Sequence, residues 1–307
     1  MLIDTSDDVL GIASDLIVGP DGTVYVVDIQ ASTVHVVDPS GDLLEPLGTE
    51  GGGPGEFSRP YTLAFLADTL AVVDHGNGRL QLFGNEGEVL STRSLPPGQA
   101  PSLGSDGRFV VPSWGIDTAL ATIYDASLER RAGIGRIVGD PSNLVRPREM
   151  KEEIERGEVP RIFLNTARAL VDADGATYLL VPARGTVERF DSTGAREWLL
   201  ELDEAESARI FERFIAENAL RPDRSFAPLS YIIDATLVDG ALWLLIPGQG
   251  EEVAIRIVNR DGSLGARTEF RGVEGATQFA VDADRSRVYF VQHDRAALVW
   301  ATIPTDF

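Results

Sequence analysis

The sequence predicts an all-β protein, a six-bladed β-propeller. Three observations carry that expectation: a unit of short apolar strands recurs six times, glycine and proline punctuate the strands, and two of the spacers between units are long enough to be insertions. Repeats at such a period mark propellers and solenoids, in which no unit buries its apolar faces alone.

The first unit spans 14–47, "SDLIVGPDGTVYVVDIQASTVHVVDPSGDLLEPL", and the second 61–95, "YTLAFLADTLAVVDHGNGRLQLFGNEGEVLSTRSL". Units three to six start at Ala100, Ala167, Ile233 and Thr277. Each reads as strands rich in Val, Leu, Tyr, Phe and Thr, joined by hairpin turns such as Pro20-Asp21-Gly22 and Asn85-Glu86-Gly87. The sixth unit ends after three strands. The apolar pair Leu2-Ile3 is expected to supply its outer strand, closing the ring and removing an exposed edge.

Between units one and two lies "GGGPGEFSRP", residues 51–60. As a blade-to-blade crossover it must turn sharply against a neighbouring sheet, which Gly permits and Pro fixes. Phe57 is expected to plug the gap between the two blades.

The spacers 138–165 and 203–231 are expected to be helical insertions in a single domain of residues 1–307. In the first, Pro147 opens a helix with Met150 and Ile154 inward and Gly157 ending it. In the second, Asp203 with Glu206 fits a capping box, and Ile210, Phe211, Phe214 and Ile215 share one face. Both insertions are crossovers. Strand direction puts crossovers, inner-strand starts and second-strand ends on one face of the disc, where a site is expected.

Aligning the inner-strand starts on their following turns yields one position reading Asp15, Thr62, Ala100, Arg168, Asp234 and Gln278. Five of those six are polar, so the channel mouth is either a hydrated ring in which Arg168 neutralises Asp15 and Asp234, or a ligand site. Second-strand ends add Asp28, Asp74, Ser113, Pro182, Pro247 and His293, with His75, Trp114 and Arg184 beside them. Trp114 is an aromatic suited to stacking on a ligand. The remaining histidine, His35, is expected to face outward from a third strand.

The totals exclude several classes. The chain has 307 residues, 43% hydrophobic and 24% charged, an ordinary globular balance. No apolar run approaches a membrane span, so no transmembrane segment is expected. A net charge of −21 argues against a nucleic-acid partner. The absence of Cys removes disulfides and thiolate chemistry. "MLIDTSDDVLG" carries no signal-peptide pattern, so either none is present or a leader has been removed. No nucleophile elbow, P-loop or His-Glu-x-x-His occurs. The oligomeric state is not legible.

Blade 2 resembles an NHL repeat through Gly53, Gly55, Phe57, Pro60, Asp74, Asn77, Arg79 and Phe83; the other blades share only the layout. The resemblance is to bacterial six-bladed NHL-like propellers. It implies the fold and a periplasmic or extracellular address, lipid-anchored before processing in some members, with a cytoplasmic one still open. Propellers of the lactonase type are metal-dependent hydrolases holding a Ca²⁺-type ion through oxygen donors. Here only Asp15 and Asp234 would serve, beside the cationic Arg168. The favoured expectation is therefore a non-catalytic propeller binding a small molecule, glycan or protein, with no cofactor. A hydrolase holding Ca²⁺ and a structural subunit of a larger assembly are the alternatives.

Overall fold

A computed structural model describes residues 10–113, 118–139, 146–202, 205–222 and 225–304. Six antiparallel sheets follow one another round a ring, a six-bladed β-propeller. Blades 2 to 5 are four-stranded, and their inner strands begin at Pro60, Ser102, Arg168 and Asp234. Blade 1 (Ala13–Val18, Val24–Asp28, Thr33–Val37) and blade 6 (Ala276–Asp282, Arg287–Gln292, Ala297–Thr302) are three-stranded among the described residues.

Blade 1 departs from the expected four strands. Beyond Val37 the blade adds two isolated bridges, Val37 with Leu43 and Val34 with Leu47, and a short parallel pairing of Thr49–Glu50 with Glu56–Phe57 follows in the crossover. Pro46, which has no N–H to donate, interrupts the run between Leu43 and Leu47. Leu2-Ile3 lies outside the described residues.

The core lies between blades. Six apolar clusters each join one blade to the next, as Val27, Val34 and Phe57 meet Leu63, Leu70, Val72 and Phe83 between blades 1 and 2. Phe57 is fully buried there, as its place in the crossover predicts. A Cβ at Gly48, whose φ is +78°, would collide with the Phe57 ring, so the crossover needs glycine there. Between blades 6 and 1 the same packing unites the ends of the chain: Ala280, Tyr289, Val291 and Leu298 meet Leu10, Leu16, Val24 and Val26.

Blade 2's NHL-like residues form a clamp. Asp74 is fully buried. Its carboxylate accepts from Ser58 N (2.8 Å), Asn77 Nδ2 (2.9 Å) and Arg79 Nε (2.8 Å). Arg79 also donates to the carbonyls of Gly52, Gly53 and Glu56, fastening the glycine-rich crossover to the blade. In blade 1, Asp28 holds the corresponding place and accepts from Gly11 N, Gln30 N and Ala31 N. His35 does not face outward: it is 9% exposed and lies 3.3 Å from Asp28. Strand alternation turns it toward the one buried carboxylate within reach.

The insertions contain three helices: α1 (Pro147–Glu155), α2 (Arg161–Leu164) and α3 (Ser207–Leu220). Met150 and Ile154 are buried, and Gly157 follows α1 at φ +75°. α3 begins at Ser207 with Glu206 in the cap position, and no side-chain cap bond is seen among the described residues; Asp203 of the expected capping box lies outside them.

Candidate functional site

The tunnel ring takes its geometry from strand register. Asp15 pairs with Val27, Thr62 with Val73, Arg168 with Leu180, Asp234 with Leu245 and Gln278 with Val291. In each blade this is one residue before the place of Asp28 and Asp74. That place is filled by Val181, Ile246 and Gln292 in blades 4 to 6, so Pro182, Pro247 and His293 stand one residue beyond the alignment drawn from sequence. A bulge follows Ala13, Pro60 and Ala276 and swings Asp15, Thr62 and Gln278 into register.

Asp15, Arg168, Asp234 and Gln278 bind the next blade round, and Ser102, two residues past the ring position, does so in blade 3. Asp15 accepts from Leu63 N of blade 2 at 2.7 Å. Ser102 of blade 3 donates to the Ala169 carbonyl of blade 4. Arg168 of blade 4 donates to the Ile233 carbonyl (3.0 Å) and to Asp234 (2.9 Å) of blade 5. Asp234 accepts from Phe279 N of blade 6 at 3.0 Å. Gln278 of blade 6 donates to the Ala13 carbonyl of blade 1 at 3.1 Å, closing the circle. The ring thus forms a belt, with a side-chain bond at five of the six junctions among the described residues.

Its electrostatics are uneven. Burial pushes the Asp15 carboxyl up to about 7; the Leu63 amide opposes this, and the nearby Asp234 charge adds to it. Asp234 is also raised by burial, against the Arg168 charge. Asp28 behaves oppositely: burial would raise it, but the His35 hydrogen bond and the amides of Ala31 and Gly11 hold it at about 2.

The two ring carboxylates that a Ca²⁺-type ion would draw on are already engaged, beside the cationic Arg168. Asp15 spends its two oxygens on Leu16 N and Leu63 N, and Asp234 its two on Arg168 and Phe279 N. Among the described residues, no group of three or more His, Asp or Glu is placed to hold a metal ion.

The remaining candidates disperse. Trp114 lies outside the described residues. His75 is half-buried near Tyr61, its ring lowered by burial and by Arg59. His293 is exposed in a short 3-10 turn. Arg184 donates to the Arg136 carbonyl and to Asn165, both at 3.0 Å, and Asn165 in turn holds Val138. Arg184 therefore tethers the first insertion to blade 4.

The insertions fuse into one cap. Ile154 of α1 and Phe214 of α3 share a core with Ala183 and Leu229, and Phe163 of α2 packs edge-on to Phe214 at 6.1 Å. Lys151 donates to the Asn218 carbonyl, and Asn218, 1% exposed, grips Ala227 through both its N–H and its carbonyl.

Between α3 and blades 5 and 6 opens a cleft of about 450 Å³. Its walls include Ile210, Arg213 and Phe214 of α3, Ile233 and Pro247 of blade 5, and Ala276 of blade 6. Ile233 and Ala276 stand at inner-strand starts, so the cleft lies on the face that strand direction selects. Sequence reasoning missed its polar wall; a visible signal was the i, i+4 pair Arg213–Glu217 (2.6 Å) of α3, both of which line the cleft.

Solved structures with the same fold are diverse. A streptogramin B lyase superposes at a TM-score of 0.53 with 14% identity, covering 97% of this chain and 95% of that one. A Bacteroides fragilis protein described as exported gives 0.57 at 12% identity, covering 94% and 82%. Hydrazine synthase of Kuenenia stuttgartiensis gives 0.53 at 13%, covering 97% of both chains. At such identities the likeness shows the propeller fold alone. No family model matches the chain, and no curated protein does.

Proposed function

We propose that this chain is a binding propeller whose ligand occupies the cleft between α3 and blades 5 and 6. One observation carries the reading. Two insertions far apart in sequence weld into a cap, and that cap raises one wall of a cleft of about 450 Å³ beside the tunnel mouth. That volume falls in the range of small-molecule sites, roughly 300–1,000 Å³, and favours a small molecule or short glycan over a protein surface. Apolar and polar lining residues together suit a ligand with both characters.

A metal-dependent hydrolase draws no support from the ring, whose carboxylate oxygens already hold backbone amides and Arg168. Its nucleophile would need a metal the donor set does not suit. The exported description of one structural neighbour supports an address outside the cytoplasm. Among the described residues no helix is long and apolar enough to cross a membrane.

The test is a fragment screen by ligand-observed NMR on the protein and on Ser230→Trp, which fills the cleft from its rim. Hits that vanish in the variant support the reading. Hits that bind the variant equally well overturn it.

A further inference from the structure

The cleft's charge points to the class of its ligand, an inference that rests on the binding reading above. Five acids line it, Glu217, Glu251, Glu252, Glu274 and Asp294, against three arginines, Arg209, Arg213 and Arg295. All three arginines are engaged by the protein. Arg209 donates to the carbonyls of Gly248 and Gly250, Arg213 pairs with Glu217, and Arg295 stands 3.9 Å from Glu274. Glu252 has the exposed Arg271 at 3.7 Å. Glu251, on blade 5, and Asp294, on blade 6, have no cation within ion-pair distance among the described residues, although the Glu251 charge reaches Arg213.

Phe214, Pro247, Val253 and Ala276 add apolar surface to the lining. Behind it, Gln292 pairs with Ala276 and is 1% exposed; its Nε2 donates to the Glu274 carbonyl at 2.8 Å. Its buried Oε1 accepts from no described residue. The wall thus carries five carboxylates against three guanidiniums that the protein already engages. Acidic lining also meets a chain of net charge −21, whose field concentrates cations and repels anions.

We infer that the cleft between α3 and blades 5 and 6 takes an organic cation, a protonated amine or guanidinium carried on an apolar body, with Glu251 and Asp294 at its charged end.

The probes are phenethylamine, phenethyl alcohol and phenylacetate, alike in body and different in charge. Binding to the full chain is read by ligand-observed NMR, with Ser230→Trp, the double variant Glu251→Gln with Asp294→Asn, and the remote surface control Asp42→Asn. The amine is expected to bind about tenfold more tightly than the alcohol, and the alcohol more tightly than phenylacetate. The double variant should erase the preference for the amine and leave the alcohol unchanged, while Asp42→Asn changes neither.

Equal binding of amine and alcohol, or a preference that survives the double variant, overturns the charge assignment and leaves the cleft standing. Absence of binding by all three probes, or binding that ignores Ser230→Trp, overturns both.

Discussion

Two sets of carboxylates on neighbouring strands of the blades are held in different ways. Asp28 and Asp74 end the second strands of blades 1 and 2; Asp15 and Asp234 begin the inner strands of blades 1 and 5. Asp74 meets a cation and two further donors, and Asp28 meets His35 and three amides, so each negative charge is compensated where it is buried. Asp15 meets two amides and faces a like charge, and its carboxyl rises to about 7. Burial alone does not set the outcome; the donors that accompany it do. The first set is built to hold the fold, and the second carries a charge the fold tolerates.

The sharpest way to break this comparison is Asp74→Ala. It leaves Arg79, whose side chain is 18% exposed, without its partner and releases the crossover, at a cost of about 3–5 kcal/mol in urea denaturation. A cost near that of an ordinary surface substitution would deny the clamp.

Asp234→Ala should cost less, about 1–3 kcal/mol, chiefly by orphaning Phe279 N–H. Arg168 is 44% exposed and keeps the Ile233 carbonyl, so adding Arg168→Ala should restore little. A double variant clearly more stable than the single one would show that the stranded guanidinium, and not the amide, dominates.

The pH profile separates the sets. Asp15 has a folded value of about 7 against an ordinary 3.8, so the folded state holds its proton longer, and stability falls as pH rises from 3.8 to about 7. Asp28, held at about 2, contributes stability that is present above 3.8 and lost as pH falls toward 2. Chemical denaturation between pH 5 and pH 8 should therefore show a decline that Asp15→Asn flattens, whatever its offset. A decline unchanged in Asp15→Asn would place its origin elsewhere.

The smallest expected effect is none. Millimolar Ca²⁺ should leave the melting temperature unmoved, because a bound ion would raise it by mass action. A rise abolished by Asp234→Asn would reinstate a metal at the ring.

The propeller was legible because its determinants are local: alternating apolar strands, Asp-x-Gly hairpins and a crossover rich in glycine. The ring was legible too, since hairpin length sets strand register, and Asp15, Thr62, Arg168, Asp234 and Gln278 fall in line once the turns are aligned. His35 was misread because its partner Asp28 lies on the adjacent strand, and pairing across strands is not written in either alone. The cleft stayed hidden for a stronger reason. Its walls come from α3, blade 5 and blade 6, and only the welding of two insertions through Lys151, Asn218 and Phe214 brings α3 to that place.

Gln278 reaches back across 265 positions of chain to hold Ala13. The circle is therefore fastened at its axle, independently of how the outer rim of the last sheet is completed. Moving the chain's ends to a peripheral hairpin, such as that at Asn85-Glu86-Gly87, would leave this inner fastening whole, so a circularly permuted protein should still assemble the same wheel.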